Sequence, residues 1–302
     1  MIDLVTLSDK NYLINGLILY DSLKQNVTSD FTLHYLCLDD IVYNTLKKLN
    51  YINIKLYSLK IIEESEDWRF LINNTENRSI DKSDGQSTFH WALASVFTNY
   101  LMEIEDRPLL YIDSDICIYN DIGIIFDKMM DYNVGLISHK HISPKEWSHV
   151  GYYNVGIIYF NNTEEGKSCL KKWKNCVIGK DRSYPNYKSC GDQKYLELFT
   201  SWINKIVLLD SIVGHSAPWC AGHHEIYERD GIKYLKWPGF CFNQPNTIFE
   251  QPLYFYHFSH FTPDYTNNTW KKDRDNEWCG FLGQPGMTEI YQEYFEKGKQ
   301  WI

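Results

Sequence analysis

The chain has 302 residues, of which 44% are hydrophobic, 16% aromatic and 23% charged, and its formal net charge is −9. This composition excludes wholesale disorder and supports a full core. An acidic chain without a Lys/Arg-rich block argues against nucleic acid or an anionic membrane as main partner, yet it leaves room for a phosphate-bearing small molecule, because a divalent cation reverses the sign of a site locally. Residues 2–7 (IDLVTL) predict a first strand, and residues 12–25 carry apolar residues at helical spacing. A second strand follows at 31–38, a helix near 40–49 and a third strand near 52–58. This β-α-β-α-β order predicts a parallel, Rossmann-like sheet with right-handed crossovers. Residues 63–86 are polar without an apolar period and read as a loop or lid. A long helix is predicted over 87–104, with Ser87 or Thr88 available to cap it. The strand LLYID comes next. The second half is less regular, with strands predicted at 133–138 and 154–160, helices at 164–177 and 191–200, apolar runs at 206–210 and 253–258, and a last helix near 287–297.

No window approaches about 18 consecutive apolar residues, so no membrane span is expected. The opening MIDLVTLSDKNYL lacks the basic and apolar regions of a secretory signal, which makes the cytoplasm the expected location. Eight scattered cysteines without a C-x-x-C pair fit buried free thiols in a reducing compartment.

The chemistry gathers at YIDSDICIY, residues 111–119, where Asp113 and Asp115 interrupt an apolar, β-prone run. Burying charge there costs several kcal/mol unless something pairs with it. In open α/β sheets ligands bind beyond the carboxyl ends of strands. Two hard oxygen ligands after such a strand suit Mg²⁺ or Mn²⁺, which keep open positions for substrate phosphates. The alternative is a D-S-D turn whose carboxylates cap backbone N–H groups.

At this point the chain resembles nucleotide-sugar-dependent glycosyltransferases of the GT-A fold, and is similar to the family 8 group that includes glycogenin and the bacterial lipopolysaccharide galactosyltransferases. Five segments carry the likeness, in order, from residue 6 to about 260: TLSDKNY (6–12), YIDSD (111–115), YNVGIIYFN (153–161), GDQKYL (191–196) and YHFSHF (256–261). The resemblance implies a single α/β domain over 1–302: a Rossmann-like, mixed but mostly parallel sheet flanked by helices, with an irregular C-terminal part. Residues 1–120 would form its nucleotide-binding half and 121–302 its sugar and acceptor half. It further implies a UDP-sugar donor with Mn²⁺ or Mg²⁺, and a glycan, lipid-linked or protein hydroxyl as acceptor. Thr6, Ser8, Asp9, Asn11, Tyr12 and Ser114 are then the nucleotide-binding residues, with Asp9 reading the uracil and Tyr12 stacking on it. Asp113, Asp115 and His257 are the metal ligands, and Asn154, Asp192 and Gln193 line the sugar pocket and carry the chemistry. Retention at the anomeric carbon is implied, with Asp192 and Gln193 stabilising an oxocarbenium-like state; were the reaction inverting, Asp192 would be the general base.

Each residue also has a structural alternative: a core histidine for His257, a buried aromatic for Tyr12, a turn cap for Asp9, a strand cap for Asn154, a helix N-cap for Asp192. Three features depart from the family pattern. Residues 87–104 contain no Arg or Lys for the donor, only His90, leaving Arg78 or Lys82 as substitutes. Ser259 and His260 stand where a Gly and a phosphate-binding Lys are expected. Lys194 replaces a second acidic residue after Gln193. GHSAPW, residues 214–219, offers His215 and Trp219 for the acceptor side or for the core. His139 and His141 have alternating spacing suited to a metal, but such a pair is more often an exposed strand or loop, and they are not selected as ligands. Two other classes remain open on the sequence: a D-x-D phosphohydrolase, and a nucleotide-sugar-binding protein without activity.

Overall fold

The computed structural model describes residues 1–73, 80–81, 86–140, 148, 150–184, 191–237, 249–272 and 284–302. In chain order its strands are β1 (Ile2–Ser8), β2 (Phe31–Cys37), β3 (Ile54–Ser58), β4 (Ile80–Asp81), β5 (Gln86–Ser87), β6 (Leu109–Ile112), β7 (Ile116–Ile118) and β8 (Val134–Ser138). They continue as β9 (Tyr153–Phe160), β10 (Ile206–Leu208), β11 (Gly214–Ser216), β12 (Glu225–Arg229), β13 (Ile232–Trp237), β14 (Phe249–His257), β15 (Phe261–Asp264) and β16 (Thr269–Lys272). Contacts divide the chain into two compact units. One holds Met1–Lys10, Ser29–Asp113 and Ile125–Leu209; the other holds Asn11–Thr28, Ser114–Ile124 and Asp210–Ile302.

The first unit is built on a seven-stranded sheet in the order β10-β8-β9-β6-β1-β2-β3. β1 pairs in parallel with β2 and β6, β2 with β3, and β10 with β8, while β9 runs antiparallel to β6 and β8. The sheet is therefore mixed and mostly parallel, as expected. β6 and β8 are buried along their whole length, which is the signature of strands covered on both faces. Helix ends are set by local chemistry. The Asp39 carboxylate accepts from the backbone N–H of Ile41 and Val42 at 2.9 and 3.0 Å to start the helix Asp40–Leu49, and Asn50 closes it in the left-handed region at φ 49°. Thr163 Oγ1 accepts from Gly166 N–H to start the helix Glu164–Val177. From that helix Trp173, fully buried, stacks on Phe160 and meets the edge of Phe199. Its indole N–H donates to the Asp192 carbonyl at 2.9 Å.

The second unit combines the helices Leu13–Asn26 and Met287–Lys299 with a sheet in which β14 is central. β14 pairs with β11 in parallel and with β13 and β7 antiparallel, and β12 adds to β13. Phe258 stacks on Tyr294 of the last helix at 3.8 Å between ring centroids, and Asn15 Nδ2 donates to the Tyr294 hydroxyl at 2.9 Å.

Three expectations need correcting. Residues 63–86 are not all loop: a helix occupies Glu66–Asn73, held by Leu71, fully buried in the core, by Trp68 packed against it, and by Lys174 Nζ against Asp67 at 2.5 Å. Residues 191–200 are not one continuous α-helix: a 3₁₀ segment, Gln193–Leu198, runs into a one-turn α-helix, Phe199–Trp202. The C-terminal part is less irregular than expected, because β12–β13 and β15–β16 are hairpins. The first closes through Asp230-Gly231, both at positive φ (54° and 77°), the D-G turn whose twist matches paired strands. Arg78, Lys82 and the side chains of Ser87 and Thr88 lie outside the described residues. Cys37, Cys117, Cys169, Cys176 and Cys220 are buried and free, in line with the reading of the cysteines. No described helix is long and apolar enough to cross a membrane.

Replacing Trp173 by Ala removes a fully buried indole and orphans the Asp192 carbonyl, so the expected loss is about 3–5 kcal/mol in urea denaturation. A loss below about 1 kcal/mol would show that this core does not support the segment after Gly191.

Candidate functional site

β6 ends at Ile112, and the chain turns tightly through Asp113, Ser114 and Asp115 into β7. Asp113 N–H donates to the Gly156 carbonyl of β9 at 2.9 Å, and the Tyr111 hydroxyl donates to Asp113 Oδ1 at 2.7 Å. Asp115 is 8% exposed. Its backbone carbonyl accepts from Phe258 N–H at 2.8 Å, and its Oδ1 lies 3.0 Å from His257 Nε2. The β7–β14 register sets that meeting, pairing Ile116 with His257. Trp219 meets the His257 ring edge-on at 5.3 Å. Burial pushes the Asp115 carboxyl up, but attraction to His257, its hydrogen bond and a weaker pull from His260 hold it below the usual carboxylate range.

Asp113, Asp115 and His257 each offer one ligand atom, and these atoms lie within 4.8 Å of one another. Ligands about 2.1 Å from a common ion are at most about 4.2 Å apart, so the group needs only a shift of roughly half an ångström to close on one. Two carboxylates and an imidazole are a donor set that could hold a divalent cation. The donor set thus fits the metal that the D-x-D motif implied, and the His257 side chain is held by Asp115 rather than by an apolar core alone.

Three more of the expected residues form a second cluster. Asp192 is 5% exposed. Burial raises its carboxyl well above the ordinary range, the negative charge of Asp113 raises it further, and the backbone N–H groups of Asp192 and Gln193 pull it down weakly. Gly191, before it, adopts φ 51°, and a Cβ there would come within 2.8 Å of the Trp91 ring. Asn154 Nδ2 donates to Gln193 Oε1 at 3.0 Å and lies 3.1 Å from His139 Nε2. His139 was not among the residues selected from the sequence, because its partners are the Gly151 carbonyl just before β9 and Asn154 within it, which spacing along the chain does not reveal. His141 lies outside the described residues.

The remaining expected residues are placed as follows. Thr6 is fully buried in β1. Ser8 is buried with its Oγ 2.6 Å from the Tyr35 hydroxyl. Asp9 follows β1 and is part-exposed; Asn11 is exposed and Tyr12 half-buried in the 3₁₀ turn Lys10–Tyr12. Ser114 is buried in the D-S-D turn. His215, in β11, is buried, lies 3.0 Å from Asp210 and stacks on Phe255, a core role, whereas its neighbour Trp219 reaches His257. Lys194 is paired with Glu197 at 2.9 Å.

Calorimetric titration with Mn²⁺ should show one site, and Asp115→Asn or His257→Ala should each weaken it at least tenfold. Unchanged affinity in both variants would remove the metal assignment.

No protein-family model matches the chain. Two Bacillus subtilis proteins described as uncharacterised are similar in sequence. YfnD is 25% identical over 289 residues, 90% of this chain and 81% of its own length, and YfnF 26% over 264 residues, 84% and 80%. Among solved structures, the galactosyltransferase LgtC in complex with donor and acceptor sugar analogues matches with a TM-score of 0.53 and 14% identity over 97% of this chain and 96% of its own. Mouse xyloside xylosyltransferase 1 matches with a TM-score of 0.53 and 13% identity over 85% of this chain and 98% of its own. At such identities the likeness is one of fold, and the fold it shows is the GT-A fold of glycosyltransferases.

Proposed function

We propose that this protein is a metal-dependent glycosyltransferase that moves a sugar from a UDP-sugar to a hydroxyl acceptor with retention of anomeric configuration. The observation that carries the reading is the convergence of Asp113, Asp115 and His257 within 4.8 Å, on a fold shared with glycosyltransferases.

The chemistry requires departure of a nucleoside diphosphate, and negative charge builds on its β-phosphate as the glycosidic bond breaks. A bound dication supplies electrostatic neutralisation of that charge. Asp113, Asp115 and His257 are the residues that would hold it. In this reading, Ser8, Asp9, Asn11, Tyr12 and Ser114 line the nucleoside side; Thr6, fully buried, shapes the strand beneath it. Asn154, Asp192 and Gln193 face the sugar. Burial first, and the negative charge of Asp113 second, hold the Asp192 carboxyl above its ordinary range, so a cation held beside Asp113 would ease the second of these and leave the first. Residues 1–120 then serve the nucleotide and 121–302 the sugar and the acceptor.

The test is release of UDP from a panel of UDP-sugars with Mn²⁺, with EDTA and Asp115→Asn as controls. Turnover should appear with at least one donor and fall by 10² or more in both controls, and a product formed from an α-linked donor should be α-linked by NMR. Phosphate release from generic esters instead would assign a phosphohydrolase, and saturable binding without turnover a binding protein; either outcome overturns the proposal.

A further inference from the structure

His139, at the end of β8, is 4% exposed, and the hydrogen bonds around it form a chain whose polarity is fixed at every end by backbone. His139 Nδ1 lies 3.0 Å from the Gly151 carbonyl. A carbonyl only accepts, so Nδ1 carries the proton, and the neutral ring presents Nε2 as an acceptor. Asn154 Nδ2 lies 3.1 Å from that Nε2. The orientation of Asn154 is fixed independently, because its Oδ1 accepts from Gly156 N–H at 2.8 Å, which leaves the NH₂ end to donate. One of its two hydrogens goes to His139, the other to Gln193 Oε1 at 3.0 Å. Gln193 Oε1 also accepts from Val155 N–H at 3.4 Å, and Gln193 Nε2 donates to the Val150 carbonyl at 3.0 Å. Both lone pairs of the Gln193 carbonyl and one of its two amide hydrogens are thus used within the protein. Gln193 is part-exposed, and what it retains for a ligand is a single N–H.

We propose that His139 is a positioning residue: as the neutral Nδ1–H tautomer it orients Asn154, and through Asn154 it fixes the Gln193 carboxamide so that Gln193 acts towards the sugar only as a hydrogen-bond donor. The ligand group this selects is an acceptor oxygen, a hydroxyl or ring oxygen of the transferred sugar. The opposite tautomer would set two donors against each other at Asn154 and a lone pair against the Gly151 carbonyl, leaving both bonds unmade in a buried setting. The role of Gln193 beside the sugar rests on the glycosyltransferase reading; the tautomer of His139 does not.

Two measurements test it. In protein labelled with ¹⁵N-histidine, the His139 resonances at neutral pH should report a protonated Nδ1 and an unprotonated, hydrogen-bonded Nε2; an Nε2–H tautomer overturns the proposal whether or not the protein turns over a donor. In UDP-sugar turnover with Mn²⁺, His139→Leu should lower kcat about 10²-fold, with donor KM and calorimetric affinity for UDP changed less than threefold. His139→Gln, which restores an acceptor towards Asn154, should recover most of kcat, and it serves equally if His139→Leu does not fold. Wild-type kcat in His139→Leu, or no recovery in His139→Gln, overturns the positioning role. A wild-type protein that turns over no UDP-sugar overturns the glycosyltransferase reading instead, and the two failures are distinct.

Discussion

Two carboxylates at the end of a buried strand are the constraint around which this structure is arranged. An isolated charge in such a place costs several kcal/mol, so the fold must deliver compensation to Asp113 and Asp115 from elsewhere in the chain. For Asp113 it comes from near in sequence, as the Tyr111 hydroxyl. For Asp115 it comes from His257, more than a hundred residues onward. That delivery depends on β14 running antiparallel to β7 in one register. A slip of one residue would turn the imidazole to the other face of the sheet. Much of the aromatic packing in the second unit, with Phe258 against Tyr294 and Trp219 against His257, is intelligible as the means of holding that register and that ring.

The Asp192 cluster follows a different logic. Its amide and imidazole groups have their directions dictated by immovable partners: the Gly151 and Val150 carbonyls and the Gly156 N–H. Groups so constrained lose little further freedom when a ligand arrives, which is what preorganisation for a transition state requires. Trp173 extends this support into the core of the first unit by holding the Asp192 carbonyl, so the packing of one helix bears on the geometry of the segment after Gly191.

Much of this was legible in the sequence, for identifiable reasons. β1 to β3 and the helices Thr88–Glu105 and Glu164–Val177 carry strong apolar periodicity and fall close to where it predicts. The D-x-D turn was visible because charge inside an apolar strand demands explanation. What connects it to His257 was not: spacing says nothing about a partner in a distant strand, and only the resemblance carried that residue. The helix Glu66–Asn73 escaped notice because it is short, with Leu71 and Trp68 as its core contacts beside the Lys174–Asp67 ion pair. The β12–β13 hairpin had a readable signal in Asp230-Gly231, hidden because Glu228 and Lys233 share the face that Ile226 and Leu235 bury, so the strands lack clean alternation. His139 was seen as a metal-spaced histidine, whereas its use is set by a tautomer that no spacing encodes.

Cys117 occupies the middle of β7, opposite Tyr256 and two residues past Asp115. Its thiol is fully buried, and burial pushes it up to about 11, so an alkylating reagent finds almost no thiolate and no path to it. Its cover is the packing with Ile18 and Tyr294 of the two helices of its unit, so access requires that packing to open. The alkylation rate of this sulfur is therefore a clock for local opening of the second unit's core, intrinsic to the unmodified chain and readable by mass spectrometry with no substrate present.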